Sequence, residues 1–194
     1  MSDSCPKVRP RDRIIETAAA LFREHGIRGV GVDTIAEAAG SNKMTLYRHF
    51  GSKDELVAEC LRMQAEQGAE KWARLEREHP GDPLGQLHGW IALIASYLKT
   101  ETHGCDLANA AVELHEEGHP AWTVIGTFKA EQLQKLVATC RAAGARDPDL
   151  LADTLYLLVE GARLSRQING ADGPSAVFVR AAEAAVAASI SRNT

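Results

Sequence analysis

Apolar residues recur at intervals of three and four along almost the whole chain, and glycine or proline interrupts the pattern at intervals. That period follows one face of an α-helix rather than the two-residue alternation of a strand. No alternating apolar and polar run has turn residues on both sides. The expected fold class is therefore all-α. The spacing predicts about nine helices, over 11–25, 32–39, 43–50, 53–79, 84–100, 106–117, 121–143, 149–169 and 175–191. The stops lie at Gly26, Gly40, Gly51, Pro80-Gly81-Asp82-Pro83, His103-Gly104, Gly118-His119-Pro120, Gly144, Gly170 and Gly173-Pro174. Asn42 and Ser52 stand where N-caps are needed, and Ser52 to Glu55 fits a capping box.

This pattern fixes what 194 residues can be. The chain is long enough for a core without disulfides or structural metal. The longest apolar stretches, such as Ile91–Leu98, fall far short of the ~20 residues that cross a bilayer. No membrane partner is expected. The first residues carry no apolar run, so no secretory signal is expected either. Cys5, Cys60, Cys105 and Cys140 are widely spaced and form no C-x-x-C pair. That argues against a zinc or disulfide framework and points to the cytoplasm. No cofactor and no metal are called for.

The region that carries chemistry is the second and third segments, joined by Gly40-Ser41-Asn42. Two short helices around a tight glycine turn form a helix-turn-helix, whose later helix faces the DNA major groove. Leu46 and Phe50, four apart, can anchor that helix. Lys43, Thr45, Tyr47, Arg48 and His49 offer donors on its other faces. Arg or Lys can reach guanine edges, and a Thr methyl can meet a thymine methyl. Lys53, at the start of the fourth helix, adds a cation beside a helix N-terminus, and both favour phosphate.

The segment Ile35-Ala-Glu-Ala-Ala-Gly-Ser-Asn-Lys-Met-Thr-Leu-Tyr-Arg-His-Phe-Gly-Ser-Lys-Asp-Glu-Leu56 resembles the DNA-binding signature of the TetR family of bacterial transcriptional regulators. Upstream, Ile14-Ile-Glu-Thr-Ala-Ala-Ala-Leu-Phe22 and Gly26 are similar to that family's first helix. The resemblance covers residues 11–56, and its specific part is Thr45-Leu-Tyr-x-x-Phe50 followed by Ser52-Lys53-x-x-Leu56. It implies a ligand-responsive regulator, a homodimer that binds a near-palindromic operator and leaves it when a small-molecule effector binds. It also implies a helix-turn-helix domain over 1–56 and a helical effector-binding and dimerisation domain over 57–194. By motif position the DNA contacts would be Thr34, Lys43, Thr45, Tyr47, His49 and Lys53, and Met44 and Arg48 on the same helix are further candidates for base contact. Gly31, Ser41 and Met44 depart from the usual pattern, so an operator sequence does not carry over from relatives.

Charge is consistent with this division. Residues 1–56 hold nine Lys and Arg against eight Asp and Glu, net +1, and residues 57–194 hold thirteen against eighteen, net −5. Carboxylates beyond a Debye length, about 8–10 Å at physiological salt, are largely screened from the reading end. Residues 1–9 read as a polar arm, where Arg9, with Arg11 and Arg13 beside it, can approach phosphate or the minor groove.

For the remaining helices the expectations are broader. Leu151, Leu155, Leu158 and Ala162, with Phe178, Ala182 and Val186, form helical stripes expected at a dimer interface. Trp90, Tyr97, Cys105, Asn109 and Trp122 are candidate effector-pocket residues, since such pockets are mostly apolar with few polar groups. Glu160 and Arg163 could orient a polar ligand. His103, Asp106, Glu113, His115, Glu116, Glu117 and His119 form a His/carboxylate cluster, with His115 and His119 four apart. No catalytic triad, phosphate loop or metal motif indicates an enzyme. The alternatives are a helical small-molecule binder without DNA regulation, and a redox-responsive form of the regulator acting through Cys105 or Cys140.

Overall fold

The computed structural model describes residues 9–190. Among these residues there are nine α-helices and no strand: α1 Pro10–His25, α2 Val32–Ala38, α3 Lys43–Phe50, α4 Lys53–Glu78, α5 Pro83–Thr100, α6 Asp106–Glu113, α7 Ala121–Ala142, α8 Pro148–Asn169 and α9 Phe178–Ser189. The all-α expectation holds. Capping chemistry sets several starts. Asn42 accepts the Thr45 amide at 2.8 Å, and Ser52 accepts the Glu55 amide at 3.0 Å. Asp82 and Asp147 do the same ahead of Pro83 and Pro148, which sit where a missing amide costs nothing.

Two elements differ from the pattern. α6 ends at Glu113 rather than at 117. Glu116 and Glu117 would place carboxylates at the negative end of the helix macrodipole, and Gly118 follows at φ +80. The last segment opens as a 3-10 turn over Pro174–Val177 before α9 begins. Ser175 is buried in that turn.

Packing divides the described residues into two compact units, 9–66 with 106–126 and 67–105 with 127–190. This does not follow a cut at residue 56. α6 and the start of α7 join the N-terminal unit, although some forty residues of sequence intervene. The first unit's core contains Ile14, Ala18, Ile35, Leu46, Phe50 and Leu56. The second unit's core contains Leu87, Ile91, Leu136, Leu155, Phe178 and Ala182. Within that unit α5, α8 and α9 pack together. Gly68 lets α4 approach α7 closely, since a Cβ there would meet the Phe128 ring at 2.6 Å.

α8 has two apolar faces. Leu151, Leu155, Val159 and Ala162 point into the chain's own core. Leu150, Leu157, Leu164 and Ile168 point outward, and Leu157 and Ile168 are each 70% exposed. Leu155 is fully enclosed, so its truncation removes buried area and leaves a void. Leu155→Ala is expected to lower the unfolding free energy by about 2–5 kcal/mol. The check is a urea titration, in which the midpoint should fall with the m-value unchanged.

Candidate nucleic-acid interface

α2 leads into α3 through a closed turn. The Gly40 amide donates to the Glu37 carbonyl at 2.9 Å, and the Ser41 amide donates to the Ala36 carbonyl at 2.8 Å. This pairing satisfies the last carbonyls of α2 and needs the left-handed residue that Gly40 supplies at φ +57. Arg13, on α1, closes the turn from outside. Its guanidinium donates to the Ala39 carbonyl at 2.6 Å and to the Gly40 carbonyl at 3.2 Å. Arg13 thus holds the turn in the DNA-free protein. Arg9 pairs with Asp12, and Arg11 pairs with Glu59 while lying over the Phe50 ring. Residues 1–8 of the expected arm, with Cys5, lie outside the described residues.

The locked turn decides which way α3 faces. Leu46 is fully buried and Phe50 nearly so. Met44, Tyr47, Arg48 and His49 are exposed, Met44 at 82%, and Thr45 is half-buried. Met44 and Tyr47 leave apolar surface on the same outward face as Arg48 and His49. Lys43 and Thr34 are exposed beside it. Lys43 pairs with Asp33 at 3.0 Å, and that carboxylate holds its ammonium above the ordinary lysine range. Lys53 differs from the mobile cation expected at α4. Its ammonium donates to the Ile27 carbonyl at 2.6 Å and lies near the Phe22 ring.

One contributor had no sequence signal. Glu113, at the end of α6, accepts the amides of Ile27 at 2.9 Å and Arg28 at 2.6 Å in the loop after α1. Nearby, Asp106 pairs with Arg23, and Glu116 pairs with Arg28. Backbone amides at its own position and at His115, and then Arg28, hold the Glu116 carboxyl below its usual range. Over the described residues the first unit carries nine Lys and Arg against thirteen Asp and Glu, net −4, and the other unit eleven against twelve, net −1. The exposed cations of α3, Lys43 and Arg48, therefore stand on a unit with no positive excess of its own.

The His/carboxylate cluster resolves into separate structural roles. His115 and His119 follow the end of α6, so they do not share a helix face. His119 is buried, and its Nδ1 accepts the Ala121 amide at 3.1 Å at the start of α7. Among the described residues no group of three or more such side chains could hold a metal ion.

The five effector candidates fall in different units. Trp90, Tyr97 and Cys105 belong to one, and Asn109 and Trp122 belong to the other. Trp90 stacks on Trp72 at 6.2 Å, Trp72 donates to Gln132 at 2.6 Å, and Lys71 lies 4.4 Å from the Tyr97 ring centre. Asn109 lines a small cavity of about 40 Å³ with Phe22, Cys60 and Glu113. Trp122 is 39% exposed. In the second unit Glu160 accepts Lys129 at 2.8 Å, with Arg163 beside it.

The dimer candidates also divide. Leu151, Leu155, Ala182 and Val186 lie in the chain's own core. Leu158 lines an outward groove with Leu157, Gly161 and Val177, and the core residues Ala162 and Phe178 also border it. The free apolar surface is thus the side of α8 that carries Leu150, Leu157, Leu164 and Ile168, with the groove that Leu158 lines beside it.

The family model for bacterial regulatory proteins of the tetR family matches residues 14–60. The HTH-type transcriptional repressor KstR2 of Mycobacterium tuberculosis is 48% identical over 162 residues, covering 77% of this chain and 75% of that protein. The chain belongs to the TetR family. A transcriptional repressor of Streptomyces coelicolor is 38% identical over 85 residues, spanning 44% of this chain and 40% of that one. The crystal structure of a TetR-family regulator from Streptomyces coelicolor superposes with TM-score 0.87 at 23% identity, covering 94% of this chain and 96% of that one. A regulator from Streptomyces avermitilis superposes with TM-score 0.75 at 31% identity, covering 93% and 98%. This TetR-family chain is a DNA-binding transcriptional regulator and not an enzyme. No helix among its described residues is long and apolar enough to cross a membrane.

Its cysteines divide by environment. Burial pushes the Cys60 thiol up to about 12, with Glu59 and Asp106 adding to the shift, and Cys60 donates to the Ile15 carbonyl. Burial likewise pushes Cys140 up to about 11. Cys105 is only half-buried. Since the thiolate is the nucleophile, iodoacetamide at neutral pH should alkylate Cys105 first among the three cysteines of the described residues. Cys60 and Cys140 should react only on unfolding. Peptide mass mapping checks this, and native labelling of Cys60 at the Cys105 rate would contradict it.

Proposed function

We propose that the chain is a cytoplasmic homodimeric repressor that reads a near-palindromic operator through α3 and is released by a small-molecule effector. The observation that carries this reading is the outward face of α3. Leu46 and Phe50 are locked inward, while Met44, Tyr47, Arg48 and His49 stand free of the core. Met44 and Arg48 are the base readers. Tyr47, Lys43 and His49 serve phosphates, with Thr34 and Thr45 at the margin of the contact. Lys43 exchanges Asp33 for phosphate on binding. Lys53 keeps the Ile27 carbonyl and offers its remaining protons to the backbone. The functional division remains a reading domain over 1–56 and a sensing and dimerising domain over 57–194, with α6 packed onto the former.

Dimerisation is supported by the free side of α8. Leu150, Leu157, Leu164, Ile168, Val177 and Val179 are exposed, and the groove of about 370 Å³ beside them is lined mainly by apolar groups. Leu158, Ala162 and Phe178 contribute to that interface, whereas Leu151, Leu155, Ala182 and Val186 support it from beneath. A two-fold dimer places two α3 helices roughly one DNA turn apart, ~34–36 Å. The effector site is proposed in the second unit, around Trp90 and Tyr97, where aromatic rings and the polar groups of Lys71 and Gln132 occur together. Cys105, in the same unit, remains a proposed contributor.

Selection from a randomised duplex pool tests the reading. The wild-type protein should enrich one sequence. On that duplex, Arg48→Ala or Met44→Ala should cost about 1–3 kcal/mol and relax preference at one position, while Tyr47→Ala weakens all sequences alike. Leu157→Arg with Ile168→Arg should shift sedimentation from dimer to monomer and abolish operator retention. Failure to enrich any sequence at low salt would sink the proposal.

A further inference from the structure

The loop that joins α1 to α2 is held from outside its own sequence. Gly26, at φ +75, turns the chain so that the Ile27 and Arg28 amides both meet one carboxylate, that of Glu113. Successive amides converging in this way make a small anion-binding nest. The other side of the Ile27 peptide is also held, since Lys53 donates to its carbonyl. Two ion pairs flank the contact, Arg23 with Asp106 and Arg28 with Glu116. All three carboxylates come from residues 106–116, and all three reach residues 23–28.

We infer that Glu113 is a positioning residue for DNA reading: by filling the amide nest at Ile27 and Arg28 it fixes the α1–α2 loop, and through that loop the orientation of α2 and α3. The inference rests on the DNA-binding reading above. Glu113 lies outside the DNA-contact set. Gly31, at the end of the same loop, caps α2 without a side-chain bond, so α2 gains no anchoring from its own cap. Pre-ordering a binding element reduces the entropy lost on association, and releasing it weakens binding without removing a contact. Removing Glu113 should leave the protein folded. The carboxylate borders the cavity of about 40 Å³, where roughly two or three waters can take over the freed amides.

Electrostatics alone gives the opposite sign, which makes the test sharp. Deleting a carboxylate from a DNA-binding protein raises affinity for a polyanion. Glu117→Ala supplies that baseline, since Glu117 is exposed on the same stretch. On the duplex selected by the wild type, Glu117→Ala should bind as tightly as wild type or tighter. Glu113→Ala should bind on the order of tenfold more weakly with an unchanged salt slope, because no phosphate contact is lost. Glu113→Gln, which keeps one acceptor oxygen, should fall between. In DNA-free protein, hydrogen exchange at Ile27 and Arg28 should rise at least about tenfold in Glu113→Ala, with Leu155 unaffected. Equal affinity of Glu113→Ala and Glu117→Ala overturns the positioning role, whatever the exchange shows, and so does unchanged exchange at Ile27 and Arg28. A wild type that selects no duplex overturns the DNA-binding reading, and with it the role.

Discussion

Burial of Leu46 and Phe50 is the constraint on which the reading surface depends. Both sit in one core with Ile14, Ala18, Ile35 and Leu56, so the side of α3 they occupy is fixed by α1, α2 and α4 together. In a helix of eight residues, two anchors four apart determine the rotation of the whole element. Met44, Tyr47 and Arg48 point outward because the opposite side is filled. The Gly40 turn, with its carbonyls capped by Arg13, sets where α3 begins. Rotation and position of the recognition helix are thus set by packing and by backbone hydrogen bonds, and its exposed residues are left free for recognition.

Charge follows the same economy. The reading unit is acidic as a whole, yet several of its carboxylates are already engaged by its own cations and amides. Asp106 meets Arg23, Glu113 meets two amides, and Glu116 meets Arg28. Arg11 and Arg13 are engaged in return, with Glu59 and with the turn. What remains for the proposed DNA contact is a small outward set on α3. Specific recognition needs that arrangement more than a large net charge, because phosphate contacts position and base contacts specify.

Most of the fold is legible in the sequence because its signals are local. Asn42, Ser52, Gly26, Gly40 and Gly51 announce their caps and stops within a few residues, and the structure places them as read. The end of α6 was overextended by four residues, since apolar spacing cannot register that two consecutive glutamates oppose the helix dipole. The non-local features were not legible. Glu113 is more than eighty residues from the amides it accepts. Lys53 matches a DNA-contact motif, yet its ammonium turns to Ile27. The α8 stripe shows the limit of periodicity, for Leu155 and Leu157 are both apolar and only packing tells the core side from the free side.

In the proposed complex two copies of one locked recognition helix read DNA together. Hydroxyl-radical footprinting of the selected duplex tests this most directly. Two protected patches related by a two-fold axis, centred roughly one helical turn apart (~34–36 Å), are the predicted result. A single protected patch at saturating protein would contradict it.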